Sequence, residues 1–135
     1  MNRGEIEEKG SKLKWFQCID LPCDDGGVYV TPGELDSGHC SEGAATQRFG
    51  IPHSLEGKSV LDIGSNDGYF SFLAEKRGAR EVFAIDVNQG GGDNIRCFNL
   101  AKEALNSRVN FMEGDILETV VAVRWDVVFF FGVLY

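Results

Sequence analysis

Acidic residues set at the ends of apolar runs carry the chemistry that this sequence can offer. Asp62 lies in the run Val60-Leu61-Asp62-Ile63, which breaks into the turn Gly64-Ser65-Asn66-Asp67-Gly68. Asp86 closes a second run, Val82-Phe83-Ala84-Ile85, about 20 residues beyond the glycine turn, the separation at which a carboxylate can accept hydrogen bonds from two ribose hydroxyls. Asp115 closes a third, Val109-Asn110-Phe111-Met112-Glu113-Gly114-Asp115, where a carboxylate could accept a bond from an adenine amino group. A turn bracketed by Gly64 and Gly68 lets a ligand lie against bare backbone.

The turn is not a dinucleotide fingerprint. That pattern, G-x-G-x-x-G, places a pyrophosphate on a helix N-terminus. Here Asn66 holds the central position and Tyr69 replaces the third glycine. Asparagine tolerates a left-handed backbone, so the turn survives. Asp67 is expected to set a carboxylate where a phosphate would otherwise sit, repelling phosphate and suiting a cationic or zwitterionic ligand. Taken singly, Asp62 reads equally well as a strand-end turn residue, Asp86 as a helix cap and Asp115 as a solvated loop carboxylate. Their order and spacing together favour an adenosine site that avoids phosphate, and S-adenosylmethionine is the ligand that fits.

The elements that must position these groups follow from periodicity. Residues 60–63 read as a buried strand and 69–76 as the helix after the turn, with Gly78 as its left-handed cap. A second strand spans about 81–86, and residues 93–105 read as a helix with Ile95, Phe98, Ala101 and Leu105 on one face. Residues 125–132 form a run apolar on both faces, a strand of the kind normally flanked by others. Upstream, 42–49 read as a short helix, 15–33 as a hairpin around Gly26-Gly27, and 1–14 as a charged, frayed helix or tail. The expected fold class is α/β, a Rossmann-like parallel sheet flanked by helices. Residues 1–57 are expected to form an extension covering the site, and 58–135 the cofactor-binding half.

These residues resemble the class I S-adenosylmethionine-dependent methyltransferases. Residues 60–68 are similar to that family's first motif, Asp86 to its ribose-binding acid, Gly114-Asp115-Ile116 to its adenine-side motif and 125–135 to its fourth strand. Trp15-Phe16, Ile19-Asp20-Leu21, Val30-Thr31-Pro32-Gly33, Gly50-Ile51-Pro52, Gly68-Tyr69-Phe70-Ser71-Phe72 and Gly132-Val133-Leu134-Tyr135 narrow the likeness to the group containing the tRNA uridine-34 5-oxyacetate (carboxymethyl) methyltransferases. The resemblance implies an N-terminal part of that fold, truncated after the fourth strand. It implies cofactor contacts at Asp62, Gly64, Ser65, Asn66, Gly68, Asp86, Val87, Asp115, Ile116, Phe131 and Tyr135, the last two facing the methyl-transfer site, with no catalytic base identified. Residues 28–42 contain no Lys or Arg, so ordinary S-adenosylmethionine is expected rather than a carboxylated form.

Composition bounds the remaining classes. A net charge of −8, with acids exceeding bases in both halves, disfavours a phosphate-rich partner, so a small-molecule acceptor is expected ahead of tRNA. The charged opening is no signal peptide, no run is long enough to span a membrane, and a cytoplasmic protein is expected. Cys18, Cys23, His39 and Cys40 match no compact zinc motif, so thiols without a metal are expected. An apolar fourth strand at a sheet edge could pair between two copies as a homodimer. The rival expectations are a non-catalytic, truncated binding module and a nicotinamide-dependent oxidoreductase, the latter disfavoured by Asp67 and Tyr69.

Overall fold

The computed structural model describes residues 1–34, 41–88, 92–118 and 123–131. In chain order its elements are α1 (Arg3–Gly10), β1 (Asp20–Pro22), β2 (Val28–Val30), α2 (Glu42–Phe49), β3 (Ser59–Ile63), α3 (Tyr69–Lys76), β4 (Glu81–Asp86), α4 (Asn94–Ala104), β5 (Asn110–Glu113) and β6 (Val127–Phe129). β3 is apolar on both faces because it runs through the middle of a parallel four-stranded sheet, order β5-β4-β3-β6. Val60 stands opposite Val82 of β4 on one side and Val127 of β6 on the other. The chain runs outward from β3 through β4 to β5, then returns to β3's other side as β6. Ligands of open α/β sheets bind at such a reversal, outside the strands' carboxyl ends.

Helices α3 and α4 bury Phe72, Leu73 and Ala74, and Cys97, Phe98, Leu100 and Ala101, in the core that holds Val60, Val82 and Phe129. The Arg77 guanidinium locks α3 to α2, donating to the carbonyls of Ile51, Pro52 and Glu42. Ser59 and Asp126 bond reciprocally, Ser59 N–H to Asp126 Oδ2 at 2.8 Å and Asp126 N–H to Ser59 Oγ at 3.0 Å, which fixes where β6 begins. Among the described residues β6 is an edge, with Val128 51% exposed, as expected of the apolar run. It is shorter than the expected 125–132, and 132–135 lie outside the described residues.

The N-terminus departs from expectation. Residues 1–14 do not fray: the Asn2 side chain accepts the Glu5 N–H, Lys9 pairs with Glu5 and Lys12 with Glu8 one turn apart, and Ile6 is fully buried. Trp15, also buried, donates its indole N–H to Gly10 O at 2.9 Å. Both side chains insert into the core that contains Phe72 and Phe98, so residues on either side of position 57 share one hydrophobic interior. The expected hairpin forms, Leu21 opposite Tyr29, closed by the Gly27 N–H bond to Asp25.

Candidate functional site

β3 delivers the chain to the turn 64–68 beside the end of β4, and four of the turn's five amides are hydrogen-bonded. Gly64 N–H and Ser65 N–H donate to Ile85 O, at 2.8 and 3.3 Å, and Gly68 N–H donates to Ser65 O. Asn66 takes the left-handed conformation expected of it, φ +53°, and donates its N–H to Asp86 Oδ2 at 2.7 Å. Val87 N–H donates to Asp86 Oδ1 at 2.8 Å. The Asp86 carboxylate is thereby fixed at the strand end with one lone pair still available on each oxygen. Gly114 N–H donates to Asp86 O, which draws the turn carrying Asp115 and Ile116 alongside. Asp115 itself is exposed and accepts the Leu117 N–H. Half-buried Phe131 lies 4.9 Å, ring to ring, from both Phe49 and Phe70. Tyr135 lies outside the described residues, as do His39 and Cys40.

Two residues do something other than expected. Asp62 points away from the turn into α3, where its buried carboxyl accepts the Ser71 hydroxyl. Asp67 does not confront a ligand at the head of α3. Its Oδ2 accepts the Phe16 N–H at 2.6 Å and the Gln17 N–H at 2.8 Å. The head of α3 is met instead by Gln17, whose Oε1 accepts the Tyr69 N–H at 3.0 Å. Sequence reasoning placed residues 1–57 over the site and missed Gln17 altogether. The only signal was one amide residue inside the apolar stretch Trp15-Phe16-Gln17-Cys18-Ile19.

The strap 15–19 is gripped from its other side too. Thr31 Oγ1 donates to Gln17 O and accepts the Ile19 N–H, both at 2.8 Å. Gly33 touches the strap so closely that a Cβ there would fall 2.3 Å from the Gln17 carbonyl carbon. Only glycine fits.

The electrostatics are one-sided. No described ion pair engages Asp62, Asp67 or Asp86. Burial, then the charge of Asp86, pushes the Asp62 carboxyl up to about 7 against the opposing Ser71 bonds. Burial, with smaller contributions from Asp86 and Asp93, pushes Asp67 up to about 6 against the two strap amides. Ser65 Oγ and Asp67 Oδ1 are buried without a hydrogen-bond partner. A carboxyl whose folded pKa exceeds its unfolded value holds its proton more tightly when folded. Its contribution to stability is therefore full below the ordinary aspartate range and is lost as pH rises towards the folded value. Asp62→Asn, which fixes the neutral form, is expected to gain on the wild type between about pH 4 and 8, by on the order of 2 kcal/mol after discounting a shift worth 1.36 kcal/mol per unit. Urea midpoints across that range check this; a difference that does not change with pH would remove the burial argument.

The model of the family described as FtsJ-like methyltransferase matches residues 43–128, well over half of the chain. A tRNA U34 carboxymethyltransferase of Nautilia profundicola is 32% identical over 93 residues, covering 62% of this chain and 28% of the relative. A putative protein N5-glutamine methyltransferase of Methanocaldococcus jannaschii is 32% identical over 79 residues, covering 56% and 36%. This chain thus spans about a third of the length of these curated relatives. Among solved structures, the N-terminal domain of EvdMO1, crystallised with SAH bound, aligns with a TM-score of 0.68 at 19% identity over 95% of this chain and 53% of that one, a likeness of fold. With its parallel sheet, its glycine turn at the reversal of strand order and a family match spanning both, this chain belongs to the FtsJ-like methyltransferase family.

Proposed function

We propose that this chain is the S-adenosylmethionine-binding part of a methyltransferase that acts on a small-molecule acceptor. The observation that carries the reading is the laced turn: the amides of Gly64, Ser65, Asn66, Gly68 and Tyr69 are taken by Ile85, Ser65, Asp86 and Gln17, while the Asp86 carboxylate stands fixed at the crevice mouth. That combination suits a ribose without phosphates. The buried Asp86 carboxylate, with no basic partner among the described residues, favours a ligand carrying positive charge, as the sulfonium and ammonium groups of S-adenosylmethionine do.

In this reading residues 58–131 hold the cofactor and residues 1–34 wall it in. Asp86 accepts from the ribose hydroxyls, the turn carrying Asp115 and Ile116 flanks the adenine, and residues 64–68 line the methionine end. Phe131, with Phe49 and Phe70 behind it, offers a ring face to the sulfonium side, where cation–π attraction and exclusion of water both act. The bound cofactor supplies an activated methyl group, which the acceptor's nucleophile takes by direct displacement; the protein contributes orientation and desolvation. The net charge of −8 supports a small acceptor over tRNA. No helix among the described residues is long and apolar enough to cross a membrane.

Calorimetry tests the reading. S-adenosylhomocysteine is expected to bind at micromolar concentrations and NADH to give no heat. Folded protein that binds NADH but not S-adenosylhomocysteine would overturn the assignment.

A further inference from the structure

We propose that Gln17 is the specificity-determining residue that restricts this site to nucleosides without phosphates, by filling the anion seat at the head of α3 with its own carboxamide. The proposal rests on reading the 64–68 turn as a nucleoside site. A helix N-terminus presents unpaired amides and a positive dipole end, and phosphate is its natural occupant. In this chain Gly64, Ser65 and Gly68 donate to main-chain carbonyls and Asn66 to Asp86. Those acceptors belong to the turn itself and to the end of β4 beside it. Tyr69 differs: its N–H is capped by a side chain 52 positions away in sequence. Gly68, the residue that precedes it, supplies no side-chain cap.

Gln17 is not casually placed there. It is 5% exposed. Its own N–H is held by Asp67, its own C=O by Thr31, and Gly33 lies against its backbone. The main chain is clamped, so the carboxamide is aimed at Tyr69 with little freedom to swing aside. A phosphate entering the seat must displace that oxygen, and must do so beside the Asp67 and Asp86 carboxylates, which no described ion pair neutralises. A neutral amide satisfies the helix end without adding to that charge. The selectivity expected earlier from Asp67 is thus assigned to a residue from the strap, with Asp67 as its anchor.

The test compares S-adenosylhomocysteine and ADP by calorimetry in the wild type and in Gln17→Ala, Gln17→Met and Gln17→Glu. All three variants keep the backbone N–H that Asp67 binds. Alanine and methionine remove the capping oxygen, methionine while filling its volume. Both are expected to raise the ratio of ADP to S-adenosylhomocysteine affinity by about tenfold, the worth of one released hydrogen bond of about 1.4 kcal/mol. Glutamate retains a capping oxygen but adds charge beside Asp67 and Asp86, and is expected to leave the ratio at or below that of the wild type. An unchanged ratio in folded Gln17→Ala and Gln17→Met overturns the proposal, as does loss of folding in both, which would make Gln17 a structural residue only. Failure of S-adenosylhomocysteine to bind the wild type sinks the nucleoside reading instead; a gain in ADP affinity on removing the Gln17 oxygen would still support the plug.

Discussion

Asp86→Ala is expected to weaken S-adenosylhomocysteine binding by on the order of 10²- to 10³-fold. Each hydrogen bond from a ribose hydroxyl to a carboxylate contributes about 1.5–3 kcal/mol, and about 1.4 kcal/mol corresponds to tenfold in affinity. The substitution acts twice. It removes the acceptor proposed for the ribose hydroxyls, and it also strips Asn66 and Val87 of the oxygens that receive their amides, leaving the turn free to shift. Asp86→Asn separates the two: it keeps one oxygen for the turn but presents an NH₂ group in place of the other, and an intermediate loss of about tenfold is expected. Asp115→Ala, on an exposed turn, should cost less than about tenfold by the same scale. Calorimetric titration of the three variants, with melting curves to show that each is folded, decides the matter. Binding by Asp86→Ala equal to the wild type would remove Asp86 from the site.

Gly68→Ala is expected to destabilise the fold by about 3 kcal/mol or more and to lower Tm by about 10 °C. Gly68 sits at φ +99°, and a Cβ there would lie 2.6 Å from the Phe98 ring and 2.7 Å from that of Phe72. Those rings pack on one another 5.0 Å apart in the core, so neither can yield without moving α3 or α4. Gly26→Ala is the control, because Gly26 also has positive φ, +82°, but open space around it. Its cost should be the conformational one alone, about 1 kcal/mol. Chemical denaturation of both variants measures the difference. Equal costs would show that the backbone angle, rather than the helix contact, requires glycine at 68. The glycine that looks like a ligand-approach position in sequence is therefore also the seat of α4 against α3.

What the sequence made legible was local. The bounds of α2 fall at 42–49 as the pattern predicts, and β4 at 81–86, because capping, turn and periodicity signals lie within a few residues of the elements they define. The left-handed Asn66 was readable for the same reason. The site's wiring was not. The bonds from Phe16 and Gln17 to Asp67 join positions about fifty apart, and nothing in either segment's own pattern announces the other. Asp67 could be placed at the head of α3 but not aimed. Similarly, Asp62 is a strand residue whose partner, Ser71, becomes visible only once α3 is laid across β3. The N-terminal helix was legible as a helix, but not its anchoring, because its charged face dominates the composition; Asn2 followed three residues later by Glu5, and paired Glu and Lys one turn apart, were signals of a capped helix.

The grip of Asp67 on the strap also sets an order of events during biosynthesis. A ribosome releases Phe16 and Gln17 first, and at about 5–20 residues per second several seconds pass before Asp67 follows. Until then the strap's amides are solvated and Trp15 has no finished interior to enter. The strap is consequently made well before the residue that fixes it, and nascent chains wait on their own later residues before it can be tied down.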